Sequence, residues 1–205
     1  MATETELKLS LAPEAVATLL RHPLLAGIPC CQQLHNTYFD TEDLALTRQK
    51  VAVRERRIEE QTLLTVKTAG QSQGGLSQRR EWENATQPGR FDFARLVDDT
   101  TLAKALTAVA NQLVPVFTTN FERLSWHIPF GESVVEVALD RGAIEVSRHG
   151  RQRQAPICEV ELELKSGDTS ALQALAAQLK TVVRLTPTDE SKAARGYALF
   201  HALAA

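Results

Sequence analysis

Residues 158–164 run Cys-Glu-Val-Glu-Leu-Glu-Leu, and this strict alternation constrains the fold more than any other feature of the chain. Successive side chains of a strand point to opposite faces, so Glu159, Glu161 and Glu163 make one wholly ionic face and Val160, Leu162 and Leu164 an apolar one. Near the N-terminus, Glu4, Glu6 and Lys8 alternate with Thr5, Leu7 and Leu9 in the same way, and Glu136 and Asp140 alternate with Val135, Val137 and Leu139. Basic residues keep this period elsewhere. Arg54 and Arg56 alternate with Val53, Lys67 stands opposite Leu64 and Val66, Arg79 shares a face with Glu81 and Glu83, and Arg123 lies between Phe121 and Ser125.

Two architectures accommodate such strands. In the ordinary one each ionic face is the solvated outside of an antiparallel sheet. Such faces normally mix in Ser, Thr, Asn and Gln, however, and like charges side by side repel unless something opposes them. Here acidic and basic strands are segregated. A sheet closed into a barrel with its apolar face outward, covered by amphipathic helices, would set these faces against each other across an internal channel. Buried like charges are costly unless neutralised, so the acidic cluster calls for divalent cations and the basic one for a polyanion. Carboxylates without His or Cys at ligand spacing favour hard ions such as Mg2+ or Mn2+, and a chain of phosphates is the polyanion that would bridge such metals and a ring of Arg and Lys.

Composition narrows the classes further. The 205 residues are 43% hydrophobic and 23% charged, which predicts one globular domain over residues 1–205 rather than a disordered or fibrous chain. A net charge of −2 gives no global basic field for nucleic acid. No run approaches the roughly 18 uncharged apolar residues of a membrane span, and the acidic N-terminus is unlike a signal peptide, so a cytoplasmic protein is expected. Cys30, Cys31 and Cys158 lack C-x-x-C spacing and read as buried thiols. The five histidines share no spacing and read as structural or surface residues. Period-two segments predict strands over 4–9, 36–40, 51–57, 63–68, 77–83, 118–128, 134–140 and 157–164. Helices are predicted over 13–21, 102–113, 168–183 (with Asp168 as N-cap) and 191–203. Gly70–Gly75 reads as a flexible hairpin loop that lacks the text of a P-loop, and Arg148–Arg153 as a short basic loop.

In chain order, Glu4-Thr5-Glu6-Leu7-Lys8, Tyr38-Phe39-Asp40-Thr41, Arg54-Glu55-Arg56, Lys67, Arg79-Arg80-Glu81-Trp82-Glu83, Leu139-Asp140, Glu159-Val160-Glu161-Leu162-Glu163 and Ser191-Lys192, with Arg195-Gly196-Tyr197, resemble the motifs of the CYTH family of triphosphate tunnel metalloenzymes. The resemblance is greatest to the bacterial inorganic triphosphatases, in which the CYTH domain is often fused to a CHAD domain; no CHAD segment is present in these 205 residues. It implies a mainly β, α+β fold, an eight-stranded antiparallel closed β-barrel with helices packed outside. It implies Glu4, Glu6, Asp140, Glu159, Glu161 and Glu163 as ligands of Mg2+ or Mn2+, and Lys8, Arg54, Arg56, Lys67, Arg79, Arg123 and Lys192 as contacts to inorganic triphosphate or polyphosphate. Glu6, Glu161 and Lys8 would stand nearest the chemistry, an in-line attack of water without a covalent intermediate. Asp40, Glu81, Glu83, Glu136 and Arg195 would be direct contacts or supporting partners, and Tyr38 would bond a phosphate or line the wall. Within the same resemblance stand thiamine triphosphatase, class IV adenylyl cyclase and a non-catalytic polyphosphate-binding module.

Overall fold

The computed structural model describes residues 2–204. Its strands are β1 (Ala2–Leu11), β2 (Cys30–Asp40), β3 (Ala52–Ile58), β4 (Gln61–Lys67), β5 (Gln71–Gln73), β6 (Leu76–Thr86), β7 (Val114–Phe130), β8 (Ser133–Arg148), β9 (Arg151–Ser166) and β10 (Leu185–Pro187). Its α-helices are α1 (Val16–Leu19), α2 (Ala45–Arg48), α3 (Phe93–Leu96), α4 (Thr100–Val109), α5 (Ser170–Leu179) and α6 (Lys192–Ala204). Among the described residues, no helix is long and apolar enough to cross a membrane.

The strands run antiparallel in the order β1-β9-β8-β7-β2-β3-β4-β6, and β6 returns to β1 through pairs from Ala2↔Glu81 to Leu7↔Leu76. Eight strands thus close on themselves, which leaves no long edge unpaired. The short β10 and β5 extend β1 and β6.

Closure puts the apolar faces outside. Leu7, Leu9, Val135, Val137, Leu139, Val160 and Leu162 are buried beneath Leu172, Leu175 and Leu179 of α5 and Val16 and Leu19 of α1. On another flank Val53, Leu64, Val66 and Trp82 lie under α3 and α4 through Phe93, Ala103 and Leu106. Asp99 caps α4 by accepting from the amides of Thr101 and Leu102. A third cluster joins Leu34, Tyr38, Phe117 and Phe121 of the barrel to Tyr197 and Leu203, so α6 is docked by its own apolar contacts.

Several elements differ from the sequence expectation. The strands β7, β8 and β9 reach 17, 16 and 16 residues, because two-residue turns at Gly131–Glu132 and His149–Gly150 carry the pairing to Phe130↔Ser133 and Arg148↔Arg151. Residues 148–153 are therefore the tip of a hairpin rather than a loop. In the same way 70–75 holds β5 and a tight turn at Gly74 and Gly75, whose φ values of +60° and +84° suit a two-residue hairpin. The helix at 13–21 is a 3-10 turn over Pro13–Ala15 followed by α1, and the one at 102–113 ends in a 3-10 turn over Ala110–Gln112. At α5 the cap position is Thr169, although the Asp168 carboxylate still accepts from the Ser170 amide. Cys30 and Cys31 are exposed and Cys158 is half-buried, all three as free thiols. The start of β2 projects past β3, whose pairing begins only at His35↔Arg57, so nothing covers the first two cysteines on that side.

Candidate active site

The inward faces enclose a channel of about 720 Å³. Strand parity assigns its wall: Glu4, Glu6 and Lys8 from β1, Arg54 and Arg56 from β3, Lys67 from β4, Arg79, Glu81 and Glu83 from β6, Arg123 from β7, Glu136 from β8, and Glu161, Glu163 and Lys165 from β9. Lys192, first residue of α6, enters the channel from one end, alongside Tyr38 and Tyr197.

Asp140, Glu159 and Glu161 converge on adjacent strands, where Asp140 pairs with Glu159 and Ala138 with Glu161. One carboxylate oxygen from each lies within 4.8 Å of the others. The Lys192 Nζ donates to all three, at 2.6, 2.5 and 3.0 Å, and Arg123 donates to both oxygens of Asp140 at 2.7 Å and to Glu161 at 2.6 Å. Burial works against ionisation of Glu161, but Lys192, Arg123 and Lys8 outweigh it and hold that carboxyl well below the usual range. Its neighbour Glu159 moves the other way, raised by burial and by Glu161 in spite of Lys192. Two carboxylates on one face of β9 are thus driven in opposite directions, as happens when like charges share a site.

The remaining charges pair across the lumen. Arg79 bridges Glu4 at 2.7 Å and Glu6 at 2.8 Å, while Lys67 lies 2.9 Å from both Glu4 and Glu81. Lys8 sits between Glu6 at 3.3 Å and Glu161 at 3.9 Å. Glu163 is engaged by Lys165 at 2.9 Å, and Glu136 faces Lys165 at 3.8 Å and His127 at 3.4 Å. Of the six carboxylates expected as metal ligands, then, three stand together, Glu4 and Glu6 are held by Arg79, and Glu163, opposite Glu6 across β1 and β9, is held by Lys165. All seven cations expected to meet phosphate are on the channel wall.

The cations are not all matched by carboxylates. Arg54 reaches Glu83 at 3.4 Å and Glu81 at 3.9 Å, yet among the described residues its buried Nε has no hydrogen-bond partner. Among the described residues Arg56 makes no ion pair; its Nε donates to the neutral amide oxygen of Asn36 at 3.0 Å. Burial, together with Arg54 and Arg123 nearby, lowers its pKa to about 10. This side of the channel is short of anions.

Three supporting residues are not among those expected from the sequence. Asn36, 1% exposed, holds Arg56 and donates to the Thr119 carbonyl; Thr65, fully buried, donates to Glu83 and accepts from Arg54; and Lys165 engages Glu163. Each stands two residues from a recognised wall residue (Tyr38, Lys67 and Glu163), so period-two parity was the available signal. Of those left between contact and support, Glu81 and Glu83 pair with Lys67 and Arg54, and Arg195 lies 3.5 Å from Glu159 and donates to the Pro156 carbonyl. Asp40 is fully buried and bonds the first amides of α2.

The carboxylate trio offers only hard oxygen donors, Asp140 and Glu159 buried and Glu161 half-buried, which converge and fit a divalent cation of the Mg2+ or Mn2+ kind. Comparison with known proteins agrees with such a closed, charged barrel. The family model for the CYTH domain matches residues 2–197, and the chain belongs to that family. It is 33% identical over 218 residues to an inorganic triphosphatase of Haemophilus influenzae, covering 97% of this chain and 55% of that relative, so it spans about half the relative's length. Among solved structures, a Hippeastrum protein described as an adenylyl cyclase with dominant triphosphatase activity superposes with a TM-score of 0.66 at 17% identity, over 97% of this chain and 95% of that one. A proposed adenylate cyclase from Bacillus halodurans gives a TM-score of 0.57 at 21% identity, over 93% and 97% of the two chains. At these identities the two structures speak to the fold alone.

Proposed function

We propose that the whole chain, residues 1–205, acts as one cytoplasmic CYTH domain that hydrolyses inorganic triphosphate to pyrophosphate and phosphate. The observation that carries this reading is the coexistence, in one channel, of a carboxylate trio, two members buried and Glu161 half-buried, and of arginines with unmet bonding capacity, Arg54 and Arg56. A small polyanion bound to hard cations satisfies both halves at once. The similarity to an inorganic triphosphatase supports the same substrate.

Asp140, Glu159 and Glu161 would hold Mg2+ or Mn2+, with Glu4, Glu6 and Glu163 available further along the lumen. Such a cation, when bound, supplies charge neutralisation on phosphate oxygens and a more acidic water. The residues do the rest. Arg54, Arg56, Lys67, Arg79 and Arg123 bind and orient the phosphate chain, and Lys192 meets it from the α6 end. Lys8, placed between Glu6 and Glu161, donates to the phosphoryl group under attack, Glu6 accepts the one proton given up by the attacking water, and Glu161, kept ionised, fixes the water's line of approach. The leaving pyrophosphate stays bonded to the arginines, which offset its charge.

Phosphate release from inorganic triphosphate, ATP and thiamine triphosphate, each with Mg2+, with Mn2+ and with excess chelator, tests this assignment. Release is expected from inorganic triphosphate in preference to both others and is expected to stop with chelator. Preference for an organic triphosphate would move the activity within the family. No release, with tight polyphosphate binding, would make the channel a receptor.

The raised pKa of Glu159 yields a pH prediction. A ligand protonated above the ordinary carboxylate range must release that proton to hold metal. Affinity for Mn2+, followed by titration of the metal-free protein from pH 7 downward, is therefore expected to begin falling above pH 4.5, the ordinary glutamate value. Replacing Glu159 by Asp or Gln should displace that limb, and an unchanged profile would remove Glu159 from the ligand set.

A further inference from the structure

Asp40 is fully buried at the end of β2, yet its carboxylate makes no ion pair among the described residues. It is satisfied otherwise. One oxygen accepts from the amides of Thr41 and Leu46, each at 2.8 Å, and the other from the amide of Thr47 at 2.9 Å and the hydroxyl of Tyr197 at 3.0 Å. Three of these donors are local, at the start of the short α2, and the fourth comes from α6, 157 residues further along the chain.

Tyr197 stands five residues after Lys192 on α6, about 7.5 Å along the axis. Its ring meets Phe117 edge-on, with centroids 5.1 Å apart, and Phe117 stacks on Tyr38 at 4.5 Å. The preceding residue is Gly196, where a Cβ would come within 2.2 Å of the Phe117 ring, so the helix backbone lies directly on that ring. Burial, with the Asp40 charge beside it, raises the phenol's pKa and keeps it a proton donor. Apolar contact with a flat ring leaves a helix free to slide and roll, whereas a hydrogen bond to a charged acceptor that is itself clamped by three amides does not. Together with the Arg195 contacts to Glu159 and the Pro156 carbonyl, the Asp40–Tyr197 bond therefore restrains the angle and register at which α6 meets the barrel, and with them the point at which the Lys192 stem enters the channel.

We propose that Asp40 and Tyr197 are positioning residues: they form a latch that fixes α6 so that Lys192 is delivered to the phosphate site. The proposal rests on the reading of Lys192 as a phosphate contact. Asp40 lies outside the channel lining, and the Tyr197 hydroxyl, on the channel wall, is committed to Asp40 rather than turned to a ligand. Their effect on binding passes through Lys192 alone, which separates a latch from a general loss of stability.

A double-mutant cycle tests this. Tyr197→Phe, which removes only the hydroxyl, is made in the wild-type chain and in Lys192→Met. Affinity for inorganic triphosphate is measured by calorimetry in excess chelator, and KM and kcat with Mg2+. Tyr197→Phe is expected to weaken triphosphate binding and raise KM by about tenfold in the wild-type chain and by less than about twofold in Lys192→Met, with kcat changed little in either, a coupling of the size seen for residues in one network. Asp40→Asn should reproduce the effect; if it does not fold, Tyr197→Phe carries the test by itself. Equal losses in both backgrounds, or no loss in either while Lys192→Met weakens binding, would overturn the latch and leave the channel's function standing. Should Lys192→Met bind triphosphate as tightly as the wild-type chain, the reading of Lys192 falls and the latch with it.

Discussion

Glu161→Gln is expected to lower phosphate release from inorganic triphosphate by more than about a hundredfold, since loss of even an outer partner of a metal ligand typically costs tenfold to a hundredfold. The side chain keeps its shape and loses its charge. Lys192, Arg123 and Lys8, all within 3.9 Å of this carboxylate, then share one negative charge fewer, and the trio has lost a ligand. Fold and function separate by pH. The Glu161 carboxyl is held well below its unfolded value, so its ion pairs stabilise the metal-free protein above the ordinary glutamate range and cease to do so as pH falls through the folded pKa. Thermal melts should thus show the variant less stable than wild type at pH 7, the gap closing on acidification, while the circular dichroism of a closed barrel persists. A variant with undiminished turnover would place the trio outside the chemistry.

Arg56→Met is expected to act in opposite directions on binding and on stability. Hydrogen bonds to charged groups contribute about 1.5–3 kcal/mol, so losing this guanidinium should weaken triphosphate binding by roughly tenfold or more. The empty channel gains nothing comparable from it. Arg56 is half-buried, among the described residues hydrogen-bonds only Asn36, and has its pKa driven down to about 10 by desolvation and by two like charges in spite of Glu83, so a neutral side chain of similar length removes a folding penalty. A cation whose folded pKa lies below its unfolded value opposes folding at every pH where it is charged, and that range includes neutrality. Calorimetric affinity and the melting temperature of one preparation decide the matter; a loss of both would mean that Arg56 is structural. Arg54 is a less clean probe, since its removal also takes from Glu83 its ion-pair partner and leaves it the Thr65 hydroxyl.

How much of this was legible beforehand depended on parity. A closed barrel with charges inside was the favoured of two readings of Glu159, Glu161 and Glu163 alternating with Val160 and Leu162, because acidic and basic faces segregated on different strands repel within themselves unless set against each other. The channel wall followed from the same rule, down to Lys67 and Arg79. Hairpin extension did not follow, since the tips at 131–132 and 149–150 are set by turn geometry, Arg141-Gly142-Ala143 interrupts the alternation before it resumes at Ile144, and residues 151–154 are all polar. Partner choice was equally hidden. Nothing in the spacing of Glu4, Glu6 and Glu163 says that Arg79 of β6 claims the first two while Lys165 takes the third and Asp140 joins Glu159 and Glu161. Those choices depend on register between strands. The role of Asp40 was hidden for the same reason, its decisive partner lying on α6.

Glu4 is also claimed by Lys67 of β4, which stands on the far side of β6 and reaches across the seam where β6 meets β1. That seam governs how the molecule comes into being. On one edge β1 pairs with residues 76–81, and on the other with residues 159–163. The strand made first is therefore the last to find both neighbours, and its closure spans most of the chain. Pairings so distant in sequence carry a large loop-closure entropy and belong to the slow end of folding, on the order of milliseconds to seconds. Until they form, Glu4, Glu6 and Lys8 have no arginine or glutamate opposite them, and the chain holds two half-walls of unlike charge rather than a lumen. Closure of the charged channel and completion of the barrel are one kinetic event, with β1 as its keystone.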